Sequence, residues 1–180
     1  VSVDQQLYND DFRSLEKTFS LLTQVVGRSG RGEFKGTAII QTLTPENEII
    51  RLAAKQDYDE FFETEIKLRK ALIYPPYCDI CVIGFVSENE VAVKMAANEM
   101  LDNLKIFLNG EFSGEKVIIL GPMPSRVAKI NGKYRYRLII KCRNSPRFRQ
   151  LVSKLLVKSG TDSRFSSVTV YADMNPDSTI

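Results

Sequence analysis

Histidine is absent from this 180-residue chain, and cysteine occurs only three times. An odd cysteine count in a chain of this size argues against a disulfide framework. No apolar run approaches the roughly 20 residues needed to span a bilayer, and no signal peptide precedes the first residues. These absences together point to the cytoplasm. There is also no Gly-x-x-x-x-Gly-Lys-Ser/Thr loop, the backbone cradle that holds nucleotide phosphates in many NTPases. The most local absence is of acid. Residues 116–161 contain twelve basic side chains and not one Asp or Glu, so the formal net charge of +3 conceals a strongly basic stretch inside an otherwise acidic chain.

Cys78-Asp79-Ile80-Cys81 has the spacing of a metal or redox pair. It lies, however, in a run from Tyr77 to Val86 that reads as a strand, and residues three apart on a strand point to opposite faces. With no histidine to complete a ligand set and no helix N-terminus to lower a thiol pKa, the pair reads as structural.

The residues that carry chemistry are Gln24-Val25-Val26-Gly27-Arg28-Ser29-Gly30-Arg31. Two arginines stand three residues apart, each preceded by glycine. Arginine presents a fixed fork of donors matched to phosphate oxygens and stays charged at any physiological pH. Glycine before each lets the backbone turn and approach a ligand closely. Such a pair can reach the terminal phosphate of a nucleotide and stabilise charge in phosphoryl transfer. The same residues also suit a basic helix end with no ligand, so the flanks matter. Phe12, Leu15, Phe19, Leu22 and Val26 recur at helical spacing and end beside Gly27. Residues 1–4 before them and 36–42 after them read as strands. Thr44-Pro45 reads as an N-cap and first helical residue. Strand, helix, arginine loop, strand is the closing part of a parallel α/β unit.

With those flanks in place, Gln24-x-x-Gly27-Arg28-x-Gly30-Arg31 resembles motif VI of the superfamily 2 helicases. The run Asp11-Phe12-Arg13-Ser14-x-Glu16-Lys17-Thr18-Phe19-x-Leu21-Leu22-Thr23-Gln24-Val25 resembles, more narrowly, the primosomal protein N′ (PriA) family of replication-restart helicases. So do Tyr58-x-x-Phe61, Glu65, Arg69 and Tyr74-Pro75-Pro76-Tyr77. Further on, Leu120-Gly121-Pro122-x-Pro124, Lys129-x-x-Gly132-x-Tyr134-Arg135 and Asp173-Met174-Asn175-Pro176 extend the likeness. It covers essentially the whole chain as that family's C-terminal quarter. Ser29 stands where alanine is usual, and Tyr77 where Phe or Trp is common. The resemblance implies an ATP-dependent 3′–5′ DNA helicase that restarts stalled forks and promotes primosome assembly. In it Arg28 and Arg31 would be the catalytic contacts to the γ-phosphate, with Gln24, Gly27 and Gly30 completing the nucleotide-contacting motif. ATP and Mg2+ would be held mostly by parts outside this chain, and Zn2+ by an upstream cysteine-rich insertion, with no metal in this chain. The piece alone is expected not to hydrolyse ATP. The implied partners are branched and single-stranded DNA, single-stranded-DNA-binding protein with its acidic C-terminal tail, and other primosome proteins, with no membrane.

Three segments are expected. Residues 1–44 would be the C-terminal part of the second RecA-like helicase lobe. Residues 45–76 would be a helical connector in which Asp57-x-x-Glu60 resembles a capping box, Phe61, Phe62, Ile66 and Leu72 turn inward, and Tyr74-Pro75-Pro76 stops the helix. Residues 77–180 read β-α-β-β-α-β, a ferredoxin-like α+β order that agrees with the ribosomal-S10-like domain the resemblance implies. Its first helix would be capped through Ser87-x-x-Glu90 and bury Val93, Ala97, Met100, Leu104 and Phe107. A strand at 117–120, a loop holding Gly121, Pro122 and Pro124, and a strand from 133 to 142 would follow. Pro146 would open a helix with Phe148, Leu151, Val152 and Leu155 inward, before a last strand at 168–171.

On the 133–142 strand, Lys133, Arg135, Arg137, Lys141 and Arg143 share one parity, and Tyr134, Tyr136, Leu138 and Ile140 share the other. One face would pack on the core while the other presents a ladder of cations, which self-repulsion disfavours unless a polyanion offsets it. With Arg126 and Lys129, those five cations are the candidate DNA-binding residues. Other readings stay open from the residues alone. The chain could belong to another superfamily 2 translocase, or be a non-catalytic module for DNA or for an acidic peptide tail.

Overall fold

The computed structural model describes residues 3–9, 11–29 and 37–179. The chain divides into two units, Val1–Leu72 and Ile73–Ile180, each with its own apolar core. In the first unit, α1 (Asp4–Leu7), α2 (Ser14–Ser29), α3 (Glu48–Lys55) and α4 (Tyr58–Leu72) surround Phe19 and Leu22, the inward residues of the helical spacing noted above. The Phe19 and Phe61 rings stack with centroids 4.1 Å apart. Asp57 caps α4 as its spacing implies, its Oδ1 accepting from the Glu60 N–H at 3.1 Å. Arg69 pairs with Glu65 at 2.8 Å and with Glu16 of α2 at 2.7 Å. Burial works against its charge, but the two carboxylates outweigh it and raise the guanidinium pKa above its ordinary value.

Several local expectations fail in this unit. Asp4 opens a helix rather than ending a strand, because Val3 and Leu7, one turn apart, are both buried in the core. Residues 37–42 hold a single bridge at Gln41 instead of a strand; β-branched composition does not make a sheet without paired neighbours. Thr44 and Pro45 form a turn, and the helix begins at Glu48 behind Asn47, whose side chain accepts from the Ile49 N–H at 3.0 Å. Phe62 and Leu72 are exposed.

The second unit runs β1 (Asp79–Ser87), α5 (Glu90–Asn109), β2 (Ile118–Ile130), β3 (Lys133–Cys142), α6 (Pro146–Thr161) and β4 (Thr169–Met174), the β-α-β-β-α-β order expected. Its four strands form an antiparallel sheet in the order β2-β3-β1-β4. α5 and α6 pack on the same face. Val93, Ala97, Met100 and Leu104 from one, and Phe148, Leu151 and Leu155 from the other, meet Cys81, Ile83, Phe85, Leu138 and Ile140 of the sheet. Ser145 caps α6 ahead of Pro146, while α5 is capped by Asn89, two residues later than the Ser87 expected. β2 continues straight through the expected loop. It bulges at Gly121, whose φ of +97° and 3.0 Å clearance from the Arg137 carbonyl leave no room for a side chain. It then reaches a tight turn at Asn131-Gly132, where positive φ at both residues matches the twist of a two-residue hairpin.

Cys81 is fully buried in this core, and Cys78, just ahead of β1, donates its thiol to the Ile73 carbonyl at 3.2 Å. Burial pushes the Cys81 thiol up from 9.0 to about 12. The unfolded chain therefore ionises first. Stability is complete below pH 9 and falls as pH rises toward 12, by up to about 1.4 kcal/mol per pH unit from this one thiol. Urea unfolding of the native chain and of Cys81→Ala at pH 8 to 10.5 reads this directly, and the variant is expected to show the flatter pH slope. Among the described residues, no helix is long and apolar enough to cross a membrane.

Candidate nucleic-acid interface

The parity on β3 is realised. Tyr134, Tyr136, Leu138 and Ile140 turn to the core shared with the helices, which leaves Lys133, Arg135, Arg137 and Lys141 on the opposite face. That face is not an open ladder along its whole length. Lys133 is exposed and Arg135 half-buried, but Arg137 is only 9% exposed and Lys141 only 7%. The Arg137 guanidinium donates to the carbonyl of Thr179, where the chain beyond β4 crosses back. The Lys141 ammonium lies 3.6 Å from the centroid of the Tyr74 ring, and burial lowers its pKa. The expectation that all these cations face solvent is therefore corrected. Irregular segments flanking the sheet cover the far part of β3, and no alternation rule reports on them.

The remaining candidates divide between the two ends of β3. Arg143, just past the strand, is exposed. At the hairpin end, Arg126 and Lys129 of β2 are exposed, Lys129 opposite Tyr134 and so on the other face from Lys133 and Arg135. The Lys129 ammonium sits 4.4 Å from the Tyr134 ring centroid and 3.2 Å from its hydroxyl, which props the lysine over the hairpin. α6 carries four more cations of the basic stretch. Two of them are engaged by Glu111, whose carbonyl accepts from Arg147 at 2.6 Å and whose carboxylate pairs with Lys154 at 2.5 Å. At the other end of the sheet, a cleft of about 300 Å³ has Ile73, Tyr77 and Ile118 on its walls with Lys116, Lys141 and Arg143. Tyr171 on β4 also shares the cationic face and is exposed. Its signal in the sequence was the alternation of Thr169, Tyr171 and Asp173 with Val170, Ala172 and Met174.

In the first unit, Arg28 lies in the last turn of α2 and Gln24 one turn before it, on the same side of the helix. Both are exposed, as is Gly27, and the Gln24 amide lies 3.3 Å from the Ser20 hydroxyl. Gly30 and Arg31 lie outside the described residues. Gln24 and Arg28 are thus donors suited to a phosphate presented from elsewhere.

Residues 70–177 match the family model described as the primosomal protein N C-terminal domain. The chain belongs to that family. The matched residues take in every strand and both helices of the second unit, so the cationic sheet is part of the primosomal protein N domain. Replication restart protein PriA of Bacillus subtilis is 39% identical over 176 residues, covering 98% of this chain and 21% of that protein. The PriA of Thermotoga maritima is 38% identical over 163 residues, 91% of this chain and 21% of that protein. The PriA of Chlamydia muridarum is 33% identical over 177 residues, 98% of this chain and 22% of that protein. This chain therefore spans about a fifth of the length of the curated relatives it matches.

Proposed function

We propose that the chain is the C-terminal part of an ATP-dependent 3′–5′ DNA helicase that restarts stalled replication forks and promotes primosome assembly. The second unit grips DNA. Arg28 and Arg31 act on ATP held, with its Mg2+, by the rest of the protein, and any Zn2+ belongs to an upstream insertion. What carries the reading is the cationic β2–β3 hairpin of a domain shared with replication restart proteins: Lys133 and Arg135 share one face of β3, and Arg126 and Lys129 are exposed on β2. Cations gathered on one hairpin repel one another and suit a polyanion. Phosphate contacts of this kind give affinity without base preference.

The test is a salt titration of DNA binding by the native chain and by the double variant Lys133→Ala/Arg135→Ala. If both side chains meet phosphates, the slope of log affinity against log salt is expected to flatten by roughly 1.5 to 2 units, equally for different sequences. Each exposed substitution should change stability by under about 0.5 kcal/mol. Arg137 stays native in this experiment because its guanidinium holds Thr179. An unchanged slope and affinity would remove the hairpin from the DNA contact.

The cleft beside Lys116 and Arg143 favours a second, compatible reading: docking of the acidic C-terminal tail of single-stranded-DNA-binding protein. Apolar and cationic side chains line the cleft together, which suits a short acidic peptide. Such a peptide would show a much shallower salt slope than DNA.

A further inference from the structure

The face of the sheet away from α5 and α6 carries one aromatic ring in an unusual posture. On β4, Val170, Ala172 and Met174 pack toward the helices, while Thr169, Tyr171 and Asp173 turn the other way and are exposed. Tyr171 stands opposite Gly84 of β1 in the antiparallel register. A methyl group added to Gly84 would lie 2.3 Å from the ring Cζ and 2.5 Å from the hydroxyl oxygen of Tyr171. Glycine is what lets this ring lie down across β1. One side of it rests on the strand, and the residue remains 43% exposed.

Charge lies beside the ring on one side. Gly84 is flanked across the sheet by Arg137, and Val86, two residues on, by Arg135. Successive same-face residues along β3 are about 7 Å apart, so Arg135 and then Lys133 continue from the row of Tyr171 toward the hairpin. Asp173 lies on the opposite side of Tyr171 along β4, away from Arg135 and Lys133. A ring laid on a sheet with its outer side in solvent is the arrangement on which unpaired bases stack, with nearby cations tracking the backbone. In a duplex, both sides of every internal base are already covered by its neighbours.

We propose that this face is a platform for single-stranded DNA, on which Tyr171 stacks an unpaired base while Arg135 and Lys133 hold the adjoining phosphates. The inference rests on the DNA-gripping role of the second unit and specifies its substrate as unpaired strand.

Because the chain contains no tryptophan, Tyr171→Trp places a single indole on the platform. Its fluorescence should be quenched by an oligothymidylate and left unchanged by an abasic strand of equal length. Tyr171→Ala should weaken oligothymidylate binding by about tenfold and leave affinity for the abasic strand and for duplex as in the native chain. Tyr171→Phe should bind as the native chain does, since stacking needs the ring and not the hydroxyl. Absent quenching, or equal losses for the oligothymidylate and the abasic strand in Tyr171→Ala, overturns the platform. So does native binding of the abasic strand as tight as that of oligothymidylate. That result would leave the phosphate grip, read from the Lys133/Arg135 salt slope, standing. If Tyr171→Ala loses its cooperative unfolding transition, the indole quenching and the Phe variant decide.

Discussion

In the full-length protein, Arg31→Ala is expected to cut ATP turnover by about 10³-fold or more while ATP binding stays near normal. The asymmetry follows from what an arginine does at a transferring phosphoryl group. Its fork meets charge that develops on the equatorial oxygens, so it contributes little to the ground state and much to the transition state. Arg28 lies in the last turn of α2, one turn after Gln24 and exposed with it, where it can hold a phosphate already in the ground state. Arg28→Ala should therefore lower turnover and also weaken nucleotide affinity. Single-turnover hydrolysis with separate measurement of nucleotide binding distinguishes the two. Near-normal turnover in both variants would remove motif VI from the account.

Phe148→Ala is expected to destabilise the second unit by about 3–5 kcal/mol, since truncating a buried phenylalanine loses its transfer energy and leaves a cavity. Phe148 is fully buried at the first turn of α6 and belongs to the core that joins this helix to α5 and the sheet. A domain stable by only about 5–15 kcal/mol loses much of its margin to such a change. The Val3, Phe19, Leu22 and Phe61 core of the first unit does not include this residue. Denaturant unfolding should therefore show one transition moved to lower denaturant. A loss below about 1 kcal/mol would contradict the packing of α6.

The second unit was the more legible one, for reasons that differ by element. α5 and α6 buried the residues their periodicity marked, apart from Phe107, which is half-buried at the end of α5, because each helix has one face against one sheet and the pattern records that directly. β3 showed its two parities for the same reason. β2 did not read as a long strand because Gly121, Pro122 and Pro124 signal a loop. It is an edge strand, and on an edge a proline's missing N–H and a bulge are tolerated. The burial of Arg137 and Lys141 was illegible because it depends on Thr179 and Tyr74, which lie outside the regular elements. The posture of Tyr171 depends on which residue stands across from it, and register is set by the whole sheet. In the first unit, residues 37–42 have strand composition, but the pairing that decides their conformation is not encoded in those residues themselves.

The most direct test of the account is the DNA dependence of ATP turnover in the full-length protein, measured for Arg31→Ala and for Lys133→Ala/Arg135→Ala side by side. The two units are assigned separate tasks, one acting on ATP and one on DNA. The Arg31 variant should lower the turnover plateau without moving the DNA concentration at half-saturation. The double variant should reach the native plateau but require more DNA to do so, with the shift growing as salt is raised. If the double variant lowers the plateau and leaves half-saturation unmoved, the cationic hairpin is not a DNA grip and the division of labour proposed for this chain is wrong.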